Sequence, residues 1–269
     1  MRGTKTDVRR YPGFFPITII CLVVLYAPLV IVAIYSFNSS VSITHWDGFS
    51  LHWYGEVFTG PNSEKLKSAA WNSVSIALMA STTATVVSFC AAMAIIRAGT
   101  YRSRHLSLRL VTLPLMVPEI VTAVATLIFF NWIGFTRGYT TILLAHIAFC
   151  IPFAYMPIAA RMQGIDASFE FAAMDLYASR YQAYRRILLP LMLPGVISGF
   201  LLAFIISMDD FLITQFVKGA GIETLPTAIF GAVKQGIKPD IMAISTMLLA
   251  LSMVFVSLSF IIGKLDKTK

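Results

Sequence analysis

Long runs of uncharged, apolar residues constrain this chain more than any other feature. A helix rises 1.5 Å per residue, so roughly 20 apolar residues cross a hydrocarbon core about 30 Å thick. Such runs fall at about residues 15–37, 71–96, 110–133, 139–160, 190–214 and 242–263, the first reading FPITIICLVVLYAPLVIVAIYSF. Within lipid a single segment satisfies its own backbone only as a helix. The expected fold is therefore all-α, a polytopic membrane protein with six transmembrane helices. The composition agrees, with 57% hydrophobic and 13% charged residues and a mean hydropathy of +0.77, well outside the range of soluble domains. One transmembrane domain is expected over about 15–264, with its core from about 71 and a long loop at about 161–188. The short segments 1–14 and 265–269 flank it.

Lys and Arg set the orientation, because cytoplasmic connections carry them in excess. Fifteen of the 21 lie on one side: Arg2, Lys5, Arg9 and Arg10, then Arg97, Arg102, Arg104 and Arg109, then Arg161, Arg180, Arg185 and Arg186, and finally Lys264, Lys267 and Lys269. Lys65, Lys67, Arg137, Lys218, Lys234 and Lys238 lie on the other. Both termini are thus expected in the cytoplasm. This bias accounts for the net charge of +8, which is not read as a nucleic-acid footprint. The first run is too long for a signal-peptide core, and no small-residue cleavage site follows between Tyr35 and Ser40. Cys21, Cys90 and Cys150 all fall within spans, show no metal or redox spacing, and read as small packing residues.

Two outward loops differ in character. Residues 38–70 hold Trp46, Trp53 and Tyr54, suited to the membrane interface or to a docked partner. Residues 215–240 surround a short apolar centre with Gly219, Gly221, Gly231, Gly236, Pro226 and Pro239, and predict a hairpin-like excursion with a short helix near 225–234.

The acids within the spans carry the chemistry. Only Glu119, Asp209 and Asp210 fall inside the six runs, and no Lys or Arg lies at comparable depth. An ionised Asp at the centre of a membrane helix costs about 2.5–3.5 kcal/mol, so the adjacent pair would cost roughly 5–7 kcal/mol facing lipid. Helix neighbours point about 100° apart, so one can line a central route while the other pairs with backbone or another helix. Glu119 directly follows Pro118 and lies near Pro114, where missing backbone donors and a kink open the helix to a cavity. An acidic interior of this kind attracts a cation. Phe211, Phe129, Phe130 and Trp132 could accompany it by cation–π contact, with Asn131 beside them, although ordinary packing also accounts for the aromatic residues. His146 reads as a hydrogen-bonded packing residue.

Between the fourth and fifth runs lies RMQGIDASFEFAAMDLYASRYQAYRRILLPLMLPG. Asp166 or Ser168 can cap a short helix with Glu170 in its first turn. Phe169, Ala172, Ala173 and Leu176 would share a face, with Asp175 beyond it. Such a helix can lie on its own bundle or present itself to a soluble partner.

This loop resembles the Glu-Ala-Ala signature of bacterial ABC importer permeases. Ala172, Ala173, Ile187, Leu189 and Pro190 stand at matching positions; Phe171 occupies the Glu position, with Glu170 just before it, and Tyr177 occupies the Gly position. A left-handed turn at that Gly would cost a Tyr about 1–2 kcal/mol. Asn72 and Ser73, PLMVPEIVTA at 114–123, SMDDF and GAGIETLP extend the likeness over nearly the whole chain, toward the spermidine/putrescine class of these permeases.

The resemblance implies a type I (MetI-like) permease fold, a homologous permease as heterodimer partner, two ATPase subunits and a periplasmic substrate-binding protein. It also implies a multi-pass place in the bacterial inner membrane, with a polyamine as substrate. Glu170, Ala172, Ala173, Asp175, Leu176, Tyr177, Ile187, Leu189 and Pro190 would couple to the ATPase, and Asp209, Asp210, Glu119, Phe211, Trp132 and Asn131 would line the substrate route. The chain contains no Gly-x-x-x-x-Gly-Lys-Ser/Thr sequence, so ATP and Mg²⁺ are expected on the partner and no catalysis, cofactor or metal on this chain. Intramembrane acids also serve as proton relays in secondary transporters, and paired aspartates serve intramembrane hydrolases. A different small amine or opine-type solute is the alternative cargo.

Overall fold

The computed structural model describes residues 14–41, 45–61, 63–98, 101–236 and 239–265. The terminal segments, with Arg2, Lys5, Arg9, Arg10, Lys267 and Lys269, and also Lys238, lie outside the described residues. The described chain is helical and contains no strand, only an isolated bridge between Asn38 and Phe49.

Among the described residues five helices are long and apolar enough to cross a membrane, at Phe14–Tyr35, Ser63–Arg97, Tyr139–Gln163, Arg180–Asp209 and Pro239–Leu258. A bent pair, Arg104–Leu115 and Glu119–Trp132, related by 105°, makes a sixth if its halves are taken as one broken span. The third run is therefore not one helix over 110–133. Pro114 and Pro118 remove two backbone donors; Leu113 stays helical and Pro114 is taken into the 3₁₀ turn, and the chain turns after it, between α4 (Arg104–Thr112, extended by a 3₁₀ turn to Leu115) and α5 (Glu119–Trp132), with Pro118 extended at the N-cap of α5. The fifth crossing is displaced from 190–214. It starts at α8 (Arg180–Ala183), runs through a π turn at Tyr184–Leu188, and ends with α9 (Leu189–Asp209).

The chain divides into two compact units, one formed by residues 1–63 with 232–249 and the other by 64–231 with 250–269. In the first, α1 (Phe14–Tyr35) buries none of its residues, as a lipid-facing helix does. It leads into a turn organised by Asn38. The Asn38 side-chain oxygen accepts from the Asp47 N–H at 3.0 Å, its amide donates to the His45 carbonyl, and its own carbonyl accepts from Trp53 Nε1 at 2.6 Å. Trp53, on α2 (His52–Thr59), is thus buried in the loop, whereas Trp46 is exposed.

In the second unit, α3 (Ser63–Ala92, ending in a π turn at Met93–Arg97), α6 (Tyr139–Gln163) and α9 form the scaffold. Small residues let α6 and α9 approach, which drives helix association where lipid is as apolar as leucine. A Cβ on Gly199 would lie 2.7 Å from the Ala154 carbonyl oxygen and 3.0 Å from the Ile158 side chain. One buried cluster joins Ile95, Ile158, Met162, Leu188 and Met192; another joins Ile76, Ala123, Phe130, Ile142 and Ile213.

Two connections follow the sequence closely. A helix, α11 (Leu225–Lys234), occupies the place expected in the long outward loop. The loop before it is pinned to α3: the Leu225 N–H donates to Ser73 Oγ at 2.7 Å, Asn72 Nδ2 donates to the Glu223 carbonyl at 2.9 Å, and Lys65 pairs with Glu223 at 3.2 Å. In the other loop, α7 (Ser168–Asp175) begins where Asp166 accepts the Ser168 N–H at 2.8 Å, a bond that holds the Asp166 carboxyl below the usual carboxylate range. Tyr177 then adopts φ +63°, the only positive φ outside glycine among the described residues.

Tyr177→Gly should raise the thermal stability of the purified protein by about 1 kcal/mol, because the left-handed cost vanishes. Gly199→Leu should lower it by about 1–3 kcal/mol or prevent folding, read as a shift of the unfolding midpoint in detergent. Gly55→Ala, where no atom approaches within 4 Å, is the control that leaves it unharmed.

Candidate functional site: an acidic junction of two interrupted helices

Two helix interruptions meet in the second unit. α9 stops at Asp209, Asp210 turns extended (φ −63°, ψ 125°), and a short helix, α10 (Leu212–Val217), resumes and packs on α5. A helix that restarts leaves its first N–H groups without intrahelical partners. Asp210 supplies them: Oδ1 accepts from the Ile213 N–H at 3.3 Å and Oδ2 from the Thr214 N–H at 2.9 Å. Oδ2 also accepts from the Thr214 hydroxyl at 2.8 Å and lies 3.1 Å from His146 Nε2. His146, from α6, reaches Ser207 Oγ at 2.8 Å through Nδ1 and Thr214 Oγ1 at 2.9 Å through Nε2. The side chains of Asp210 and His146 are each only 1% exposed.

The two aspartates therefore sit in opposite environments. Asp210 is committed to internal partners. Asp209 is exposed at the carboxyl end of α9, where its one described partner is Ser252 Oγ, on α12 (Pro239–Leu265), at 3.5 Å. Glu119, in the first turn of α5, is also exposed, and its carboxyl lies beside that of Asp210. Phe211 follows the interruption and packs on Phe230, with ring centroids 4.5 Å apart. Asn131 and Trp132 stand at the far end of α5 from Glu119, Trp132 with 83% of its surface exposed. The junction thus gathers Glu119, Asp209, Asp210 and Phe211 and leaves Asn131 and Trp132 apart. Beside it, an open apolar groove of about 600 Å³ runs between the α4–α5 turn and α6, past Pro114, Val117, Thr122, Phe129 and Leu144.

Sequence reading found the acids and missed the groups that organise them. Ser207, Thr214 and Ser252 look like ordinary hydroxyls in apolar helices. The available signal was an acid just ahead of a restarting helix: Asp210 stands one position before the N-cap Phe211, from where it can accept the free N–H groups of the first turn.

On α7 only Ala173 is buried. Glu170 pairs with Arg97 at 3.3 Å. Ala172 and Asp175 are exposed, as are Leu176 at 82% and Tyr177 at 99%. Phe169 and Phe171 add to this apolar ridge, whereas Ile187 is half-buried and Leu189 and Pro190 begin α9 at its surface. Of the two arrangements open to this helix, packing on its own bundle is not what Phe169 and Leu176 show, since both are exposed. The loop is not helically continuous with the fourth span, because residues 164–167 turn between α6 and α7; toward the fifth span, α8 to α9 is unbroken.

His146→Ala should strand the Asp210 carboxylate and cost about 3 kcal/mol of stability. His146→Gln, which can still donate to Asp210, should cost less than half as much in thermal unfolding of the same preparation.

Residues 84–266 match the family of binding-protein-dependent transport system inner membrane components. The putrescine transport system permease protein PotI of Escherichia coli K12 is 38% identical over 248 residues, covering 90% of this chain and 87% of that one. The spermidine/putrescine transport system permease protein PotC of Haemophilus influenzae is 40% identical over 240 residues, covering 89% and 92%. Among solved structures, a bacterial ABC transporter that imports the acidic polysaccharide alginate superposes with a TM-score of 0.67 at 16% identity, covering 90% of this chain and 92% of that one. The inward-facing MetNI methionine ABC transporter superposes with 0.61 at 17%, covering 78% and 96%. The resemblance read from the loop and the acids thus holds along the chain, and the protein belongs to the inner-membrane permease family of binding-protein-dependent transport systems.

Proposed function

We propose that this chain is one of two homologous permease subunits of an ATP-driven importer that carries polyamines, of the putrescine and spermidine class, across the bacterial inner membrane. The observation that carries the reading is the exposed Asp209 carboxylate at the carboxyl end of α9. The unsatisfied carbonyls there give that helix end about half a negative charge, so side chain and backbone together favour a cation. One ammonium 4 Å from Asp209 gains about 4 kcal/mol at an effective dielectric of 20. A polyamine carries several such charges separated by methylenes. Glu119 supplies a second carboxyl at the junction, and Phe211 an aromatic face. Asp210 acts on the cargo indirectly, by fixing the turn that presents Asp209. Asn131 and Trp132 contact the cargo away from the acids, at the other end of α5. The names borne by the relatives support the same cargo.

Energy enters through partners. Two ATPase subunits bind ATP and Mg²⁺ and dock on α7 and its flanks, through Ala172, Ala173, Asp175, Leu176, Tyr177, Ile187, Leu189 and Pro190, while Glu170 serves the same coupling from within the loop by its pair with Arg97. The excess of Lys and Arg in the sequence on that side supports a cytoplasmic position for both termini and this loop. A substrate-binding protein delivers the amine from the periplasm, and lipid surrounds α1.

Asp209→Asn should lower uptake of radiolabelled putrescine or spermidine by about tenfold in proteoliposomes holding the whole complex, the loss of one charged contact. Assembly should be intact by size exclusion. Unchanged uptake would remove Asp209 from the route, and accumulation driven by a proton gradient without ATP would replace the importer by a secondary transporter.

A further inference from the structure

The guanidinium of Arg97 joins three elements. It ends the π turn that closes α3, donates through Nη2 to the Ile165 carbonyl at 2.7 Å and the Met162 carbonyl at 3.5 Å, and places Nη1 3.3 Å from Glu170 Oε1. Those carbonyls belong to the terminal turn of α6 and the residues just after it, and Glu170 belongs to the first turn of α7. The side chains are 14% and 28% exposed, so the charges are partly shielded from solvent and salt weakens the pair less than one in open water.

Besides that pair, α7 rests on α8 and the π turn at Tyr184–Leu188, which follow it in the same loop. It is eight residues long, buries only Ala173, and lies between the turn at 164–167 and the turn at Tyr177. A helix that buries one alanine can swing on its two turns when pushed. The Arg97 ion pair resists that swing, and because the same guanidinium holds the end of α6, a force on α7 passes to α3 and α6 instead of being lost in the loop.

We propose that Arg97 is a positioning residue for energy coupling: through Glu170 it locks α7 to the ends of α3 and α6, so that movement of a docked ATPase reaches the membrane helices. This rests on the importer reading above. Glu170 then works inside this chain, not as a contact made to the ATPase.

The test is a double-mutant cycle in the assembled complex reconstituted in liposomes, with ATP hydrolysis measured with and without amine-loaded binding protein. Glu170→Gln and Arg97→Gln should each reduce the stimulation ratio by about fivefold or more, the lower end of ordinary coupling between sites. The double variant should be no worse than either single one, and Arg97→Lys, which keeps the charge, should retain most of the stimulation. Basal hydrolysis and assembly should be unaltered. Multiplying effects in the double variant, or loss with Glu170→Gln alone, would overturn the proposal in favour of direct contact between Glu170 and the ATPase. Should Arg97→Gln fail to assemble, normal stimulation in Glu170→Gln overturns it equally. A wild-type complex that no amine stimulates would overturn the importer reading itself, an outcome distinct from any pattern among the variants.

Discussion

A helix that stops inside a membrane must find partners for the backbone groups it frees, and here one carboxylate does so. Asp210 accepts the first N–H groups of α10 and is held by His146 and Thr214. Each backbone group left unpaired in hydrocarbon costs several kcal/mol, against about 2.5–3.5 kcal/mol for inserting an Asp at a helix centre. Two satisfied N–H groups outweigh that cost, and the acid is affordable only where the helix is interrupted. The position of Asp209 follows. With Asp210 turned inward to cap what comes next, its neighbour is left as the last residue of α9, at an end that its own carbonyls make negative.

The second interruption has a different cause and meets the first. Pro114 and Pro118 break the third run by withholding donors, without any capping side chain at Pro118. The restart of α5 carries Glu119 in its first turn and supports α10 along its flank. Discontinuous helices are where membrane transporters expose polar groups in a region that otherwise tolerates none. The junction therefore arises from two local sequence signals, a proline pair and an aspartate pair, brought together by the close packing of α6 on α9 through Gly195 and Gly199.

Some of this was legible in the sequence and some was not. The membrane class and the helix at 225–234 were readable because each depends on residues close in the chain, whereas the left-handed turn at Tyr177 was implied only by the resemblance of the loop, in which Tyr177 stands at the Gly position. The 105° bend was only half readable. Proline spacing announces a kink, but the angle depends on what the two halves pack against. A division of labour between Asp209 and Asp210 was readable, but which acid takes which role was hidden for the same reason, since it is settled by the helix ending between them. Arg97 was visible only as one more positive charge near the membrane, because the carbonyls and carboxylate it binds lie more than 60 residues away in sequence.

The loop and the junction are connected by one object. From Arg180 to Asp209 the backbone is helical for 30 residues, which at 1.5 Å per residue is about 45 Å. One end emerges from the strained, exposed turn at Tyr177; the other carries the Asp209 carboxylate. A rigid helix moves both ends together, so a tilt imposed at the loop alters the surroundings of Asp209 without any relay of side chains between. The π turn at Tyr184–Leu188 is the weak point of that rod, since extra residues in a helical turn mark places where it bends under functional load. Under the proposed coupling, transmission is strongest if α7 is braced on the other side of the turn. The Arg97 clamp provides such a brace, and strain at Tyr177 is tolerable because a left-handed residue gives a sharp corner between two helices.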